Sequence, residues 1–337
     1  MTQALQKIPE WRNVDAEMFR HEILPQAKPA VLRGLVAQWP AVQEGRKSPQ
    51  AFTTYLKQFD RGRVVDTFVG DPSIQGRFWY RPDMRGVNYE RKTEPFDISL
   101  HRLMTHLEDV NPPAVYMGSA PIAECIPDFA RENAIDLVDR SVAPRIWIGN
   151  TITVSTHYDL SDNIACVVAG HRRFTLFPPE QLPNLYVGPL EFTFAGQPVS
   201  MVSLAEPDFE RYPRFKDALA AAVEAELEPG DALFIPYMWW HHVQSLDRFN
   251  ALVNYWWDDG REWLGSPFEA MVHGILAIGD LPPERREIWR KAFDHYVFRG
   301  QGHPVEHLAP QHRGIMSTPT PQLAKYIKAW LLRALSR

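Results

Sequence analysis

Three residues of this chain have the types and spacing to hold a transition metal. His157 and Asp159 stand two apart in the run Thr156-His157-Tyr158-Asp159, which reads as extended. Side chains two apart on a strand leave the same face, so one imidazole and one carboxylate would point together. A second imidazole follows a later strand signal, where Gly230-Asp231-Ala232-Leu233-Phe234-Ile235-Pro236 leads to Trp239-Trp240-His241-His242-Val243. Two histidines and a carboxylate on a β scaffold, with coordination positions left open, suit non-haem Fe(II) and oxygen chemistry. The tandem histidines offer two candidates for the third ligand. Alternation groups His241 with Val243 and Ser245, and His242 with Gln244. The apolar neighbour favours His241 facing inward and leaves His242 facing out or supporting the site. A His-x-Asp pair alone is common and usually marks a turn or a solvated strand end. Its weight here comes from its extended setting, the later histidine string and the β texture between them.

The elements that must position these residues show in the texture of the sequence. From about 113 to 258 the segments AVYMG, RIWIGN, ITVSTHYDL, NIACVVAG, RRFTLFPP, ALFIPYM and NALVNYWW are short, apolar or alternating, and bounded by Gly, Pro, Asn and Asp. Such punctuation predicts a barrel or jelly roll. Ahead of it, residues 15–27 carry a helical stripe (Met18, Phe19, Ile23, Leu24) that Pro29 would end. Ala30–Leu35 reads as a strand running into a turn at Trp39-Pro40. Residues 49–59 look helical, RVVDTFVG and RFWY within 62–80 look like strands, and 96–109 reads as a helix capped by Asp97 or Ser99. An insertion at 207–226 contains a helical stretch, and helices are expected at 267–279, 283–298 and 321–336. The expected plan is mainly β with flanking helices. Residues 1–112 supply elements packing on a core at 113–258, and 259–337 form a helical region.

Composition narrows the function classes. Net charge is −5 with pI near 6.2, so no global pull toward nucleic acid or an anionic membrane is implied. Cys125 and Cys166 are the two cysteines, too few for a disulfide framework, and a reducing, cytoplasmic setting is expected. No apolar run approaches the about 18 residues that span a bilayer. Eleven tryptophans are many for 337 residues. Phe78-Trp79-Tyr80, Trp239-Trp240 and Trp256-Trp257 are either core fillers or the wall of a small-molecule pocket.

Taken in order, THYDLSDN, AGHRRFTLFPPEQLPNLY, EPGDALFIPYMWWHHVQSL and ALVNYWW resemble the cupin-like JmjC oxygenases. The likeness is strongest to their asparaginyl-hydroxylase branch and its bacterial relatives, and it runs from about residue 28 to 257. The resemblance implies a double-stranded β-helix core, with His157, Asp159 and His241 binding Fe(II). It implies 2-oxoglutarate as cosubstrate with O₂, and release of succinate and CO₂ as substrate is oxidised. The family commonly seats the distal carboxylate of 2-oxoglutarate on a Lys, at the position held here by Arg172. Alternation puts Arg172 with Phe174 and Leu176 on the inward face and Arg173 on the solvated one, and a guanidinium can grip a carboxylate bidentately. Tyr116 matches a tyrosine that bonds the same carboxylate, and Asn163 and Asn254 match asparagines near the metal-bound end of the cosubstrate. Val154 stands where the family has a threonine, so one hydroxyl is lost.

Members of such a family oxidise protein side chains, RNA bases and small molecules. Hydroxylation of a protein side chain or a small molecule is expected here, since the acidic balance argues mildly against nucleic acid and no apolar run spans a membrane. The resemblance also implies a homodimer built through C-terminal helices, where Tyr326-Ile327 and Trp330-Leu331-Leu332 supply apolar residues. Two other readings share the fold: a metal-binding cupin without 2-oxoglutarate chemistry, and a non-catalytic interaction protein. An inward Arg172 with Tyr116 speaks against the first, and an intact ligand set against the second.

Overall fold

A computed structural model describes residues 5–193, 196–258 and 262–336. The chain forms two compact units, 1–258 and 259–337. The first is a two-sheet jelly roll. Its strands are β1 (Gln6–Lys7), β2 (Glu10–Arg12), β3 (Ala30–Arg33), β4 (Val64–Gly70), β5 (Tyr89–Pro95), β6 (Ala114–Pro121) and β7 (Arg145–Gly149). They continue with β8 (Thr153–His157), β9 (Asp162–Ala169), β10 (Arg172–Phe177), β11 (Val223–Leu227), β12 (Ala232–Ile235), β13 (Trp240–Ser245) and β14 (Asn250–Trp257). One sheet runs β1-β11-β10-β13-β8, the other β2-β3-β12-β9-β14-β7-β6-β4-β5.

The inner faces of both sheets meet in one apolar cluster, where Phe174, Leu176 and Val243 of the first pack with Ala165, Val167, Leu233, Ile235 and Leu252 of the second. The outer face of the longer sheet is buried too. Phe52 and Leu56 of the helix Pro49–Lys57, and Phe96 and Leu100 of the helix Phe96–Thr105, pack on its Ile146, Ile148, Cys166 and Phe234. A sheet covered on both sides is built from nearly continuous apolar strands, which accounts for the NIACVVA run of β9. Behind the shorter sheet, Phe215 of the helix Phe215–Ala220 and Leu185 close a third cluster over Phe177 and Trp240.

Several local expectations give way to pairing and packing. Trp39-Pro40 is not a turn: Pro40 opens the helix Pro40–Lys47, where its missing N–H is lost at a position that has no partner anyway. The helical run Ala16–Gln26 ends at Ala27, which adopts a left-handed φ of 48°, rather than at Pro29. Neither Asp97 nor Ser99 caps its helix, which starts at Phe96 behind Pro95 and ends at Thr105; buried Ser99 shares a hydrogen bond of 2.8 Å with Thr67 instead. RFWY is no strand, whereas the charged run YERKTEP is one. It lies at the sheet edge, where charge on an open strand discourages association with other chains. The 207–226 insertion contains the expected helical stretch as Phe215–Ala220, and from Val223 the chain becomes β11 because β10 and β1 pair on either side of it. The elements before residue 112 include β2 to β5, which are strands of the longer sheet itself.

The second unit contains the helices Pro267–Ile278, Pro283–Tyr296 and Pro321–Leu335, within one or two residues of expectation. Among the described residues, no helix is long and apolar enough to cross a membrane.

Phe234 is fully buried, meets Phe19 edge-on at 5.3 Å and stacks with Trp257 at 6.2 Å. Phe234→Ala is expected to cost about 3–5 kcal/mol, because the rigid sheet cannot collapse into the space left. Urea unfolding should show a lower midpoint at unchanged slope.

Candidate active site

Strand pairing brings the candidate ligands together. In the antiparallel β8–β13 pair, His241 lies directly opposite His157, and the register shifts between His241 and Val243. The two imidazoles have ring centroids 4.2 Å apart. β8 ends at His157, so Asp159 is not on the strand, and strand alternation does not explain its direction. The Met238 N–H instead donates to the Asp159 carbonyl at 3.0 Å, tying this turn to the approach of β13. Tyr158 is buried edge-on against Trp240 at 4.8 Å, and the Asp159 carboxylate turns back to the histidines. The ligand atoms of His157, Asp159 and His241 all lie within 4.8 Å of one another.

Both imidazoles are set in one tautomer. A carbonyl oxygen can only accept, so Nδ1–H of His157 donates to Ser155 O at 2.8 Å, and Nδ1–H of His241 to Trp239 O at 3.0 Å. Each Nε2 is left with a lone pair, and that of His241 sits 3.6 Å from Asp159 Oδ2. Burial, helped by His157 and opposed by Asp159, pushes the His241 pKa down to about 4. It is therefore neutral and metal-competent near pH 7. His242 leaves the opposite face of β13 and takes no part in the cluster. It is not solvated: it is 5% exposed and held at about 3 by burial and then by Arg77.

The inner face of the jelly roll encloses a cavity of about 460 Å³, lined by all three candidate ligands and by Tyr116, Asn163, Arg172 and Asn254. Arg172 is 1% exposed, and its Nε and Nη2 have no partner. Tyr116 hydrogen-bonds it, and burial lowers the guanidinium pKa while raising that of the phenol. Leu176 faces His241 in the β10–β13 register. Arg172 lies four residues before Leu176, about 13 Å along the strand. Arg173 faces out and pairs with Glu226. Asn254 Nδ2 donates to Asn163 Oδ1 at 2.7 Å, so the two amides satisfy one another at the cavity wall. Asn163 reaches this wall from β9, a different strand from that of His157.

The aromatic residues divide between the two readings. Trp256 lines the cavity and Phe78 an adjoining pocket, whereas Trp240 and Trp257 are core. Trp239 tethers the chain by donating its indole N–H to Ala27 O at 3.1 Å. Some lining residues were not singled out from the sequence. Trp147 stacks on Tyr116 at 5.5 Å, and its buried Nε1 has no partner. Alternation in RIWIGN carried the signal, since Ile146 and Ile148 take the core face and leave Trp147 to the cavity. Phe68 and Tyr89, also overlooked, join Phe78, Tyr116, Trp147, Val154 and His157 around the adjoining pocket of about 270 Å³.

A double-stranded β-helix with two histidines and a carboxylate gathered inside it defines a cupin with a candidate metal centre. The family model described as "Cupin-like domain" matches residues 15–262, and the chain belongs to that family, as its JmjC-type strings indicated. It is similar to tRNA wybutosine-synthesizing protein 5 of Danio rerio, 27% identical over 321 residues, covering 85% of this chain and 90% of that protein. It is 24% identical over 264 residues to lysine-specific demethylase 8 of Xenopus tropicalis, covering 74% of this chain and 52% of that protein. Lysine-specific demethylase JMJ31 of Arabidopsis thaliana is 41% identical over 103 residues, or 31% of this chain and 18% of that protein. These relatives support the JmjC class and do not single out its asparaginyl-hydroxylase branch.

The Asn163–Asn254 bond has a measurable consequence. Asn254→Ala leaves a buried amide without its donor and should destabilise the ligand-free protein by about 1–3 kcal/mol. Asn163→Ala should cost a similar amount, and the double variant less than the sum. Strict additivity in thermal melts would show that the two amides do not act as a pair.

Proposed function

We propose that this protein is an Fe(II)- and 2-oxoglutarate-dependent oxygenase that hydroxylates its substrate. His157, Asp159 and His241 would hold the iron. Arg172 and Tyr116 would hold the distal carboxylate of the cosubstrate, with Asn163 and Asn254 beside its metal-bound end. The observation that carries this reading is one cavity containing both a two-histidine, one-carboxylate cluster and a buried guanidinium with two unpartnered N–H directions. Two imidazoles with a carboxylate suit Fe(II) and leave positions for a chelating keto-acid. No carboxylate pairs with Arg172 among the described residues, and a bound diacid would supply one.

When bound, the iron and 2-oxoglutarate supply the oxidising chemistry, with the oxygen atoms of O₂ going to succinate and to the substrate hydroxyl as CO₂ leaves. The protein orients and shields. Arg172 and Tyr116 fix one end of the cosubstrate, while Trp147, Phe174 and Leu252 keep water from its flanks. A cosubstrate-free cupin has no use for Arg172 in that place, and a silent interaction protein none for the ligand set.

The pocket of Phe68, Phe78 and Tyr89 opens beside His157 and suits an apolar or aromatic group of a protein side chain or small molecule. A second reading of the substrate, a tRNA base, is favoured by the near full-length likeness to tRNA wybutosine-synthesizing protein 5, against which net charge alone is a weak argument. Exposed Leu276, Ile288, Trp330 and Leu332 on the C-terminal helices support a homodimer, and the two buried free cysteines suit a reducing cytoplasm.

Purified protein supplied with Fe(II), ascorbate and 2-oxoglutarate is expected to form succinate, and His157→Ala or Asp159→Ala to abolish it with the fold retained. Arg172→Met should weaken 2-oxoglutarate binding by about 1.5–3 kcal/mol, roughly tenfold to 150-fold. Unchanged affinity would remove Arg172 from the site, and wild-type protein that binds no 2-oxoglutarate would sink the oxygenase reading. Succinate formation stimulated by tRNA, and not by peptides or small molecules, would select the second substrate reading.

A further inference from the structure

The three candidate ligands are not held alike. Each imidazole is anchored through Nδ1 to a main-chain carbonyl two residues earlier, at 2.8 Å for His157 and 3.0 Å for His241. Both rings lie on strands and are nearly buried. Asp159 has neither advantage. It lies beyond the end of β8, and its side chain keeps 23% exposure, so water competes for its oxygens. A carboxylate on a turn can rotate about two side-chain bonds, and every rotation changes what it presents to a metal.

Among the described residues, one side chain donates to the Asp159 carboxylate. The indole N–H of Trp256 donates to Asp159 Oδ2 at 3.2 Å, and that same oxygen faces His241 Nε2 at 3.6 Å. Trp256 arrives from the other sheet. It follows Leu252 and Asn254 on the inward face of β14, whereas His157 and His241 stand on β8 and β13. Its ring is fixed in turn by Trp147, which meets it edge-on at 5.8 Å and 83°. An indole N–H only donates: it cannot ligate a metal, carry charge or shuttle protons near neutral pH. A bond from such a group can orient a carboxylate and do little else.

We propose that Trp256 is the positioning residue for Asp159, and that its indole N–H holds the carboxylate turned toward the two imidazoles so that the metal finds all three ligands preset. The inference rests on the assignment of His157, Asp159 and His241 as metal ligands. Metal centres commonly depend on such outer partners, whose loss weakens binding about 10–100-fold. If Trp256 were only a wall of the cavity, an apolar ring of similar breadth would serve as well. Phe provides that ring without the N–H, and Gln provides an amide N–H without the ring.

The test uses Mn(II), which binds oxygen and nitrogen ligands without oxidising, and follows the free-ion signal by electron paramagnetic resonance. Trp256→Phe is expected to weaken Mn(II) binding about tenfold or more. Trp256→Gln should recover part of that loss, while the melting of the metal-free proteins does not follow the same order. Mn(II) affinity equal to wild type in the Phe variant overturns the proposal, as does a Gln variant weaker than the Phe one. A second measurement does not depend on those variants folding. In metal-free protein, Asp159→Ala should shift the Trp256 indole proton upfield in a ¹⁵N-correlated NMR spectrum, and an unmoved resonance overturns the proposal. Wild-type protein that binds neither Mn(II) nor Fe(II) would bring down the metal assignment itself, and the NMR comparison would still decide whether Trp256 holds Asp159.

Discussion

Antiparallel pairing between β8 and β13 places two imidazoles opposite one another on the inner face of a jelly roll, and the rest of the candidate site is arranged around that contact. Directly opposed side chains in such a pair have Cβ atoms about 4.5–5.5 Å apart, close enough for both rings to serve one ion. The register shift just past His241 is the kind of irregularity that re-aims side chains near functional sites. It falls where β13 carries its second histidine away to the opposite face. Burial then keeps His241 unprotonated, and the carbonyls of Ser155 and Trp239 choose which nitrogen of each ring is free. The same desolvation that would be costly for an imidazolium ion makes the neutral imidazole of His241 a good ligand.

Arg172 poses the opposite problem. A guanidinium that is 1% exposed and bonded only to a phenol has lost most of its hydration without gaining an anion. Such a charge is expensive, and a carboxylate arriving there would recover the penalty. Binding of the proposed diacid would thereby be linked to stability, since a ligand that binds only the folded state shifts the folding equilibrium toward it. The strand spacing between Arg172 and the position facing His241 leaves room for a short chain carrying a carboxylate at each end. The guanidinium head is broader than an ammonium and has directional donors, so the seat it offers selects for planar bidentate groups more than a Lys would.

Much of this was legible in the sequence wherever strand alternation decides which way a side chain points. Arg172 against Arg173 and His241 against His242 were separable because β10 and β13 pair with each other in unbroken register, and their inward partners Phe174 and Val243 are apolar. Asp159 was found for an incomplete reason. Alternation put it beside His157, yet the strand stops at His157, and a turn held by Met238 completes the geometry. His242 was expected to face away, and it does, but nothing local could show that a further layer of chain buries it. Where tertiary pairing decides the outcome the reading fell short: no strand was read at β11 or at the charged β5. In both cases a neighbouring strand far away in sequence supplies the hydrogen bonds, and no residue within the segment records that neighbour.

That failure bears on function, because legibility is unevenly distributed across the site. The candidate residues His157, His241, Arg172, Asn163 and Asn254 stand on the inner strands of the jelly roll, where both faces of each strand are constrained. The adjoining aromatic pocket is built differently. It lies where the longer sheet continues past the jelly roll through β6, β4 and β5, and takes Phe68 and Tyr89 from the two outermost strands. Gly118 on β6 is part of this device: a Cβ there would come within 2.5 Å of the Phe68 ring, so only glycine lets that ring lie across the strand. Outer strands face solvent on one side and tolerate changes that inner strands do not, so substrate preference can diverge there while the inner residues stay in place. Relatives named for lysine demethylation and for tRNA wybutosine synthesis share the cupin-like core with this chain. The physical distinction among such proteins is therefore to be sought on β4, β5 and the 77–80 segment, beside the metal cluster rather than within it.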